Sequence, residues 1–516
     1  MTQSSRTFSS LRNSFVATCF YVVNLILQFY SRKIFLEYLG TEILGLNTTA
    51  MNLLQFLNLA ELGISAGVSF MLYKPISEND KVTINEIVTL QGHIYRRIGF
   101  LIILGALFLM SFFPLIFKKI DLPIWYAYTS FSVLLYSSLL GYFFNYRQIV
   151  LTASQLEYKV IYSYKSIIIL KIAFQMASIY FFENGYIWWL ILEVLFATIA
   201  TLSLNRITSK TFPYLASVKM GFKELRYKYP SFTLKIKQLF FHKIGGFALT
   251  QTSPLIIYAY TNLNIVALYG NYLIITSGIT SLLSSIFNGV NASIGNLIAE
   301  GNMLRIESVF EELFSLRFFI VVTICFIAFI ETQPFIALWI GEQYILPQST
   351  LILIITMLYI SLSRYSVDQF INGFGLYQDI YAPLIEALLN ISLSIVFGYK
   401  YGLNGVLSGA IASQIIIIKF WKPIFLYKYG LKKKISSYFI LVIKHILCTS
   451  VTIFIFFHIK KLLLIDEGSI FGLILHTSVS TIIFGTLLFL ALLITKSGLE
   501  RFYKRAIRQI KNRTII

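Results

Sequence analysis

Four ionisable side chains fall inside long apolar stretches of this 516-residue chain, where an isolated charge is costly. Lys171 and Glu193 lie in consecutive stretches joined by a short turn. Their depths differ by roughly 7 Å of helix rise, so an ion pair is within reach. Glu61 and Glu386 have no evident partner nearby. Lys171 is either the structural partner of Glu193 or a cation lining a cavity, and the three glutamates are candidates for coupling to a cation.

Three more charged residues stand where apolar stretches end in short polar turns. Arg147 closes one stretch, Arg364 closes another, and Asp368 begins the turn that follows Arg364. Each arginine is either an anchor at the basic membrane surface or a cationic ligand. Asp368 joins the glutamates as a candidate for ion coupling.

Polar residues, all but Glu61 uncharged, collect on one face of three stretches, at about 100° per residue. The first stretch carries Asn24 and Gln28, the second Asn47, Asn58, Glu61 and Ser65, and the eighth Ser277, Ser281, Ser284, Asn288 and Asn291. Such stripes form either close helix–helix contacts or the wall of a hydrated cavity. The predicted cavity residues among them are Asn24, Gln28, Asn47, Asn58, Ser281 and Asn288.

These side chains need helices long enough to cross a bilayer, about 20 apolar residues each. Apolar runs between charged breaks predict fourteen spans, at about 13–31, 43–73, 97–117, 124–146, 166–182, 186–205, 240–260, 267–299, 318–338, 350–373, 380–399, 403–421, 437–457 and 469–495. The second and eighth are too long for a straight crossing, so we expect them to tilt.

Composition agrees with an integral membrane protein. Hydrophobic residues make up 57% of the chain and charged residues 13%, against about a quarter in a soluble domain. The net charge is +20, and alternate loops place 35 of the 43 Lys and Arg residues on one side. Because basic residues favour the cytoplasmic side, both termini are predicted to be cytoplasmic. The basic excess then reflects orientation and contact with anionic lipids, and no nucleic-acid partner is expected.

No motif of a catalytic domain is present. The sequence contains no phosphate-binding glycine loop followed by Lys-Ser/Thr, no His-Glu-x-x-His and no Gly-x-Ser-x-Gly. The longest predicted loop holds about 34 residues, which is too short for a soluble domain. We therefore expect no enzyme activity, no cofactor and no metal, and a transporter, channel or scaffold remains.

The chain also shows an internal duplication. The segments 147–158 and 368–379 each end an even-numbered span and open a helix pair, at an offset of about 220 to 230 residues. Two parallel six-span repeats are predicted, with a site between them near the midplane. The boundaries are an N-lobe over 1–205, a basic cytoplasmic linker over 206–239, a C-lobe over 240–427, and spans 13–14 with a basic tail over 428–516.

Several segments resemble a known family. They are YLGTEILGL at 38–46, LAELGISAG at 59–67, LYKP at 72–75, YRQ at 146–148 with ASQ at 153–155, and GLNGVLSGAIAS at 402–413. They are similar to bacterial polysaccharide-export flippases of the multidrug/oligosaccharidyl-lipid/polysaccharide exporter (MOP) superfamily. The resemblance covers most of the chain and points to the family better than to the substrate.

The resemblance implies an all-α integral membrane fold of about fourteen helices, with two six-helix lobes in a V around a central cavity and two extra C-terminal helices. It implies that an undecaprenyl-diphosphate-linked oligosaccharide moves to the outer leaflet of the bacterial inner membrane for O-antigen, lipopolysaccharide or related polysaccharide synthesis. Ion-coupled antiport with H+ or Na+ would drive this movement, and Lys171, Arg147 and Arg364 are the cations available to meet the diphosphate. The expected partners are the lipid-linked glycan, membrane lipids, a polysaccharide polymerase and glycosyltransferases.

Other functions stay open. An ion-coupled multidrug exporter or a lipid II flippase would share the fold. Fourteen spans rather than twelve count against the exporter, and the lack of arginine inside the first two spans counts against lipid II. A polysaccharide polymerase would need a large charged outer loop, and the longest predicted one, 331–349, has no Lys or Arg.

Overall fold

The computed structural model describes residues 3–61, 64–118, 120–230, 252–288, 290–376, 381–461, 468–496 and 498–513. These residues form helices and connecting turns, and no strand occurs among them. Backbone groups in hydrocarbon have no water to bind, so each span must satisfy its hydrogen bonds within its own helix. The all-α membrane fold is confirmed.

Sixteen principal helices follow one another along the described chain. They are α1 Gln3–Leu57, α2 Ile64–Glu78, α3 Lys81–Ser111, α4 Trp125–Phe143, α5 Ser166–Phe181, α6 Gly185–Thr211, α7 Phe222–Lys228, α8 Leu263–Asn288, α9 Asn291–Ala299, α10 Met303–Trp339, α11 Gln348–Ser363, α12 Tyr365–Gly373, α13 Tyr381–Gln414, α14 Ser436–Lys460, α15 Ile470–Ile494 and α16 Leu499–Arg513.

Nine helical segments in the described part of the chain are long and apolar enough to cross a membrane. One of them, Tyr381–Leu431, contains both the eleventh and the twelfth predicted spans. The two are separated by a kink at Gly402 (φ 55°), where the chain leaves helical geometry. The first predicted span and the first part of the second likewise share α1, which is broken at Gly40 (φ 80°). Glycine adopts such positive φ angles without the strain that a Cβ would cause.

Two long predicted spans are wrong as single helices. In place of a helix over 43–73, α1 ends at Leu57, a 3-10 turn covers Asn58–Glu61 and α2 begins at Ile64. The span predicted over 267–299 consists of α8 and α9. The prediction that the polar residues of the second span share one face of a single helix is therefore wrong.

Other helices extend beyond their apolar runs. The ninth span was predicted to begin near residue 318, but α10 begins at Met303, where the Asn302 side chain accepts a hydrogen bond from the Arg305 backbone N–H at 3.1 Å. Helical structure also continues through Ile415–Trp421 to Leu431, past the predicted end at 421. Charged residues outside the predicted spans, such as Arg317 and Lys422, thus lie on helices.

The chain divides into two compact units, Met1–Ala267 and Leu268–Ile516, here called the first and second units. In the first unit, one apolar core is shared by α2, α3 and the turn after α4. In the second unit, the two halves of α13 pack so closely that a Cβ on Gly409 would lie 2.4 Å from the Ser394 backbone N. The predicted lobe boundaries remain predictions.

Candidate functional site

The 3-10 turn between α1 and α2 places Glu61 among hydroxyl groups in the first unit. Its Oε1 accepts a hydrogen bond from the Tyr95 hydroxyl at 2.8 Å and from Ser65 Oγ at 3.2 Å. Its Oε2 accepts one from the Tyr142 hydroxyl at 3.0 Å, and the same hydroxyl lies 3.1 Å from Asn58 Oδ1. Glu61 is therefore held by neutral donors from α2, α3 and α4, in contrast to the prediction that it has no partner.

A cavity of about 220 Å³ opens beside this carboxylate. Its lining includes Asn58, Glu61 and Ser65, so these three of the four predicted polar residues of the second span do meet. Asn47 does not line it, and its Oδ1 instead accepts a hydrogen bond from the Tyr186 hydroxyl at 3.0 Å. We call this cavity, with Glu61 at its wall, the Glu61 pocket.

Lys171 and Glu193 form an ion pair between α5 and α6, as their depths in the sequence allow. Lys171 Nζ lies 2.7 Å from Glu193 Oε1, and the two side chains are 12% and 8% exposed. Glu193 Oε2 accepts a further hydrogen bond from Gln175 Nε2 at 3.0 Å. The Gln175 amide also donates to the Trp189 carbonyl at 3.1 Å, so this pair sits in a local network that ties α5 to α6.

The second unit gathers charges at the junction of α11 and α12. Asp368 accepts from Arg364 Nε at 2.9 Å and lies 2.5 Å from Lys422 Nζ. Lys422 belongs to the helical continuation of α13, and its side chain is only 12% exposed. Arg364 and Asp368 are thus brought together as predicted candidates, with Lys422 as a third member.

Two more cations extend this group. Arg317 of α10 is 3% exposed, donates to Gln369 Oε1 and lies over the Phe287 ring at 5.1 Å. Lys419 donates to Ser363 Oγ at 2.5 Å and lies 4.3 Å from the centre of the Tyr359 ring. Within the described residues, neither cation forms an ion pair with a carboxylate.

Glu386 of α13 is 1% exposed, and its Oε1 finds no hydrogen-bond partner among the described residues. It interacts electrostatically with Arg364 and Lys422. Arg364, Lys422, Asp368 and Glu386 balance one another in charge. Arg317 and Lys419, which adjoin them through Gln369 and Ser363, bring an excess of two positive charges among the described residues. We call these six residues the cationic cluster.

The remaining predicted residues are dispersed. Arg147 lies in a 3-10 turn and donates to Ser217 Oγ at 3.3 Å. Asn24 is half-buried and Gln28 is exposed on α1. Ser281 is half-buried on α8, and its backbone carbonyl accepts from Ser284 Oγ at 3.0 Å. The side chain of Asn288 lies outside the described residues.

Sequence reasoning missed Arg317, Lys419 and Lys422. The predicted span 318–338 begins just after Arg317, and the predicted span 403–421 ends just before Lys422 with Lys419 in its last turn, so none of the three was singled out as a site residue. The signal that could have found them is helical spacing, since Ser363–Arg364 and Lys419–Lys422 continue the periodicity of α11 and α13.

The fold is that of known membrane transporters. No family model and no curated protein matches this sequence. A solved structure of the lipid II flippase MurJ in an inward closed conformation aligns with a TM-score of 0.65 and 13% identity, over 96% of this chain and 100% of that one. An inward-facing multidrug resistance MATE family transporter of the MOP superfamily aligns with a TM-score of 0.58 and 13% identity, over 80% and 95% of the two chains. The structure neighbours are thus MOP superfamily transporters, and at such identity they establish the fold alone.

The Lys171–Glu193 pair allows a direct test of its structural role. Lys171→Met should lower the thermal unfolding midpoint clearly, because removing one partner of a buried pair costs about 3–5 kcal/mol. Adding Glu193→Gln should recover most of the loss, since no buried charge is then left alone. The measurement is fluorescence-monitored unfolding of the purified chain in detergent. Equal midpoints for the single and double variants would contradict a coupled pair.

Proposed function

We propose that the chain moves an undecaprenyl-diphosphate-linked oligosaccharide from the cytoplasmic to the outer leaflet of a bacterial inner membrane. The observation that carries the proposal is the charge excess of the cationic cluster. Charged residues on membrane helices are expensive, and a net positive group there needs an anion. The diphosphate of a lipid-linked glycan is an anion that can enter from the membrane while its tail stays in lipid.

The donors of the cluster suit a diphosphate. The guanidinium of arginine presents several N–H groups in one plane, which match phosphate oxygens, and lysine adds a point charge. Arg317 has one terminal nitrogen, Nη1, with no hydrogen-bond partner among the described residues. Lys422 and Arg364 are both held in place by ion pairs with Asp368. Lys171 and Arg147 remain predicted ligands elsewhere in the chain.

The structural likeness to a lipid II flippase is compatible with a lipid-linked substrate. The structure described as a lipid II flippase aligns with 96% of this chain, whereas the inward-facing MATE transporter aligns with 80%. A flippase of lipid II itself is therefore a close alternative, and the two substrates share a lipid-linked glycan. The expected protein partners remain a polysaccharide polymerase and glycosyltransferases.

The Glu61 pocket supplies the coupling group in this proposal. Glu61 is held by hydroxyl groups, so it can gain or lose H+ or Na+ without breaking a salt bridge. One charge moving through 100 mV supplies about 2.3 kcal/mol, which can drive a transport cycle that has no nucleotide site. Glu193 and Asp368 are occupied by ion pairs, which makes them weaker candidates. Glu386 is a second candidate for the group that couples transport to a cation.

A multidrug exporter is the second candidate function, and one observation favours it. The Glu61 carboxylate accepts hydrogen bonds from the hydroxyls of Tyr95 and Tyr142, whose ring centroids are 5.5 Å apart. A carboxylate beside aromatic faces is a suitable site for an organic cation. Drug resistance on expression, without any change in surface glycan, would support this function over glycan transport.

Lys422 tests the glycan function in cells. In a bacterial strain that lacks its own polysaccharide flippase, the wild-type chain should restore surface glycan, measured by lectin or antibody binding. Lys422→Gln should reduce it at least about tenfold, because a charge-assisted hydrogen bond to phosphate is lost, whereas Lys422→Arg should retain most of it. The matched control is Lys428→Gln, an exposed lysine on the same helical run. Full glycan display by Lys422→Gln at normal protein level would rule out this role.

Glu61 tests the coupling. Glu61→Gln keeps the hydrogen-bond acceptor Oε1 but cannot exchange a cation, so glycan transport should no longer respond to an imposed H+ or Na+ gradient. Glu37→Gln removes an exposed carboxylate from the same unit and should leave that response unchanged. The measurement is transport in proteoliposomes with and without each gradient. A Glu61→Gln response equal to the wild-type response would exclude Glu61 as the coupling group.

A further inference from the structure

A separate cavity of about 370 Å³ lies in the first unit, between α3 and the segment that follows α6. We call this segment, residues 212–221, the strap. The volume falls in the range of small-molecule sites, about 300–1,000 Å³. Neither the Glu61 carboxylate nor any member of the cationic cluster lines this cavity. The charge distribution of the sequence predicts that the strap lies on the cytoplasmic side.

The strap is held in an ordered course along one face of α3. Side chains at every fourth position of α3 contact successive parts of it, which is the spacing of a single helix face. Asn85 binds the Tyr214 carbonyl and the Ala216 N–H, and Thr89 accepts from the Val218 N–H at 3.1 Å. His93 Nε2 lies 3.4 Å from the Met220 carbonyl. Just beyond the strap, the Arg97 guanidinium lies 3.8 Å from the centre of the Phe222 ring of α7. Hydrogen bonds to α3 therefore hold the strap in place as one wall of the cavity.

Tyr146 also lines the cavity. A Cβ on Gly92 would lie 2.9 Å from Tyr146 Cε2, so glycine at this position lets the ring pack directly against α3. Tyr146 also lines the Glu61 pocket, and the ring thus borders both cavities.

The charged side chains that line the cavity are basic, and the nearby Glu224 carboxylate is bound to the Gly221 N–H at 2.9 Å. Arg96 and Lys219 line it together with His93 and the Ser217 hydroxyl, and none of the described lining residues is acidic. Arg147 stands at the edge and donates to Ser217 Oγ at 3.3 Å. A concave site lined by cations concentrates the field and attracts anions. Its donors, a guanidinium, an ammonium and a hydroxyl, are those that bind phosphate oxygens.

We propose that this strap cavity binds a phosphate-bearing anion, with Arg96 and Lys219 as its charged ligands. The same chemistry could come from two sources, a soluble phosphate or diphosphate compound and the phosphate headgroup of a lipid. The site differs from the cationic cluster in its unit, its elements and its exposure, and its binding does not depend on which substrate the protein transports.

The test is a calorimetric titration of inorganic pyrophosphate into the purified full chain in phosphatidylcholine nanodiscs. Wild-type protein should bind pyrophosphate, and the pair Arg96→Gln/Lys219→Gln should weaken binding at least about tenfold, since two charge-assisted contacts are lost. The matched control is Lys223→Gln/Arg226→Gln, which removes the same charge from exposed positions just beyond the cavity. All the replaced side chains are exposed, and size-exclusion profiles should stay unchanged.

Repeating the titration in nanodiscs that also contain phosphatidylglycerol distinguishes the sources. Loss of wild-type pyrophosphate binding there would identify a lipid headgroup as the occupant, and unchanged binding would identify a soluble ligand; either result supports the site. The proposal is overturned if wild-type protein does not bind pyrophosphate in neutral nanodiscs, or if the control pair weakens binding as much as the cavity pair.

Discussion

A charge on a membrane helix has to find its counterpart within the same bundle, because hydrocarbon offers neither water nor counter-ions. The first unit meets this constraint with its own side chains. Lys171 and Glu193 neutralise each other across α5 and α6 at 2.7 Å, and a glutamine amide binds the remaining carboxylate oxygen. Glu61 has no cation within its set of hydrogen bonds, and tyrosine and serine hydroxyls solvate it instead. Its charge is tolerated without being cancelled, which suits a site that exchanges a cation.

The second unit meets the constraint only in part. Asp368 balances Arg364 and Lys422 incompletely, while Arg317 and Lys419 rest on an amide, a hydroxyl and aromatic faces. Glu386 is buried nearby with one oxygen that has no hydrogen-bond partner among the described residues. Two positive charges are left over in this group, which an anion can balance. The contrast between a hydroxyl-bound carboxylate in one unit and a cationic cluster in the other is the basis of the proposed transport of an anionic lipid-linked substrate.

Sequence reasoning was most successful where hydrophobicity alone decides the outcome. The all-α membrane fold and the Lys171–Glu193 pair follow from apolar runs and helix rise. The break at Asn58–Glu61 could not be predicted, because it is stabilised by hydroxyls 34 and 81 residues away in sequence. Arg317 and Lys422 fall just outside the predicted spans because hydropathy bounds a span at a charge, although the helix continues through both residues. Lys419 lies within a predicted span, but its contacts with Ser363 and Tyr359 are tertiary and leave no pattern in the sequence. The charges that were hardest to place are those on which the proposed function depends.

The most direct measurement of the central claim is movement of a labelled undecaprenyl-diphosphate-linked oligosaccharide across proteoliposomes that contain only this chain, followed by its accessibility to an added lectin. The account predicts faster crossing than in protein-free liposomes, and a loss of that acceleration when Arg364 and Lys422 are both changed to Gln. Crossing at the protein-free rate, or acceleration that the double variant leaves intact, would contradict it.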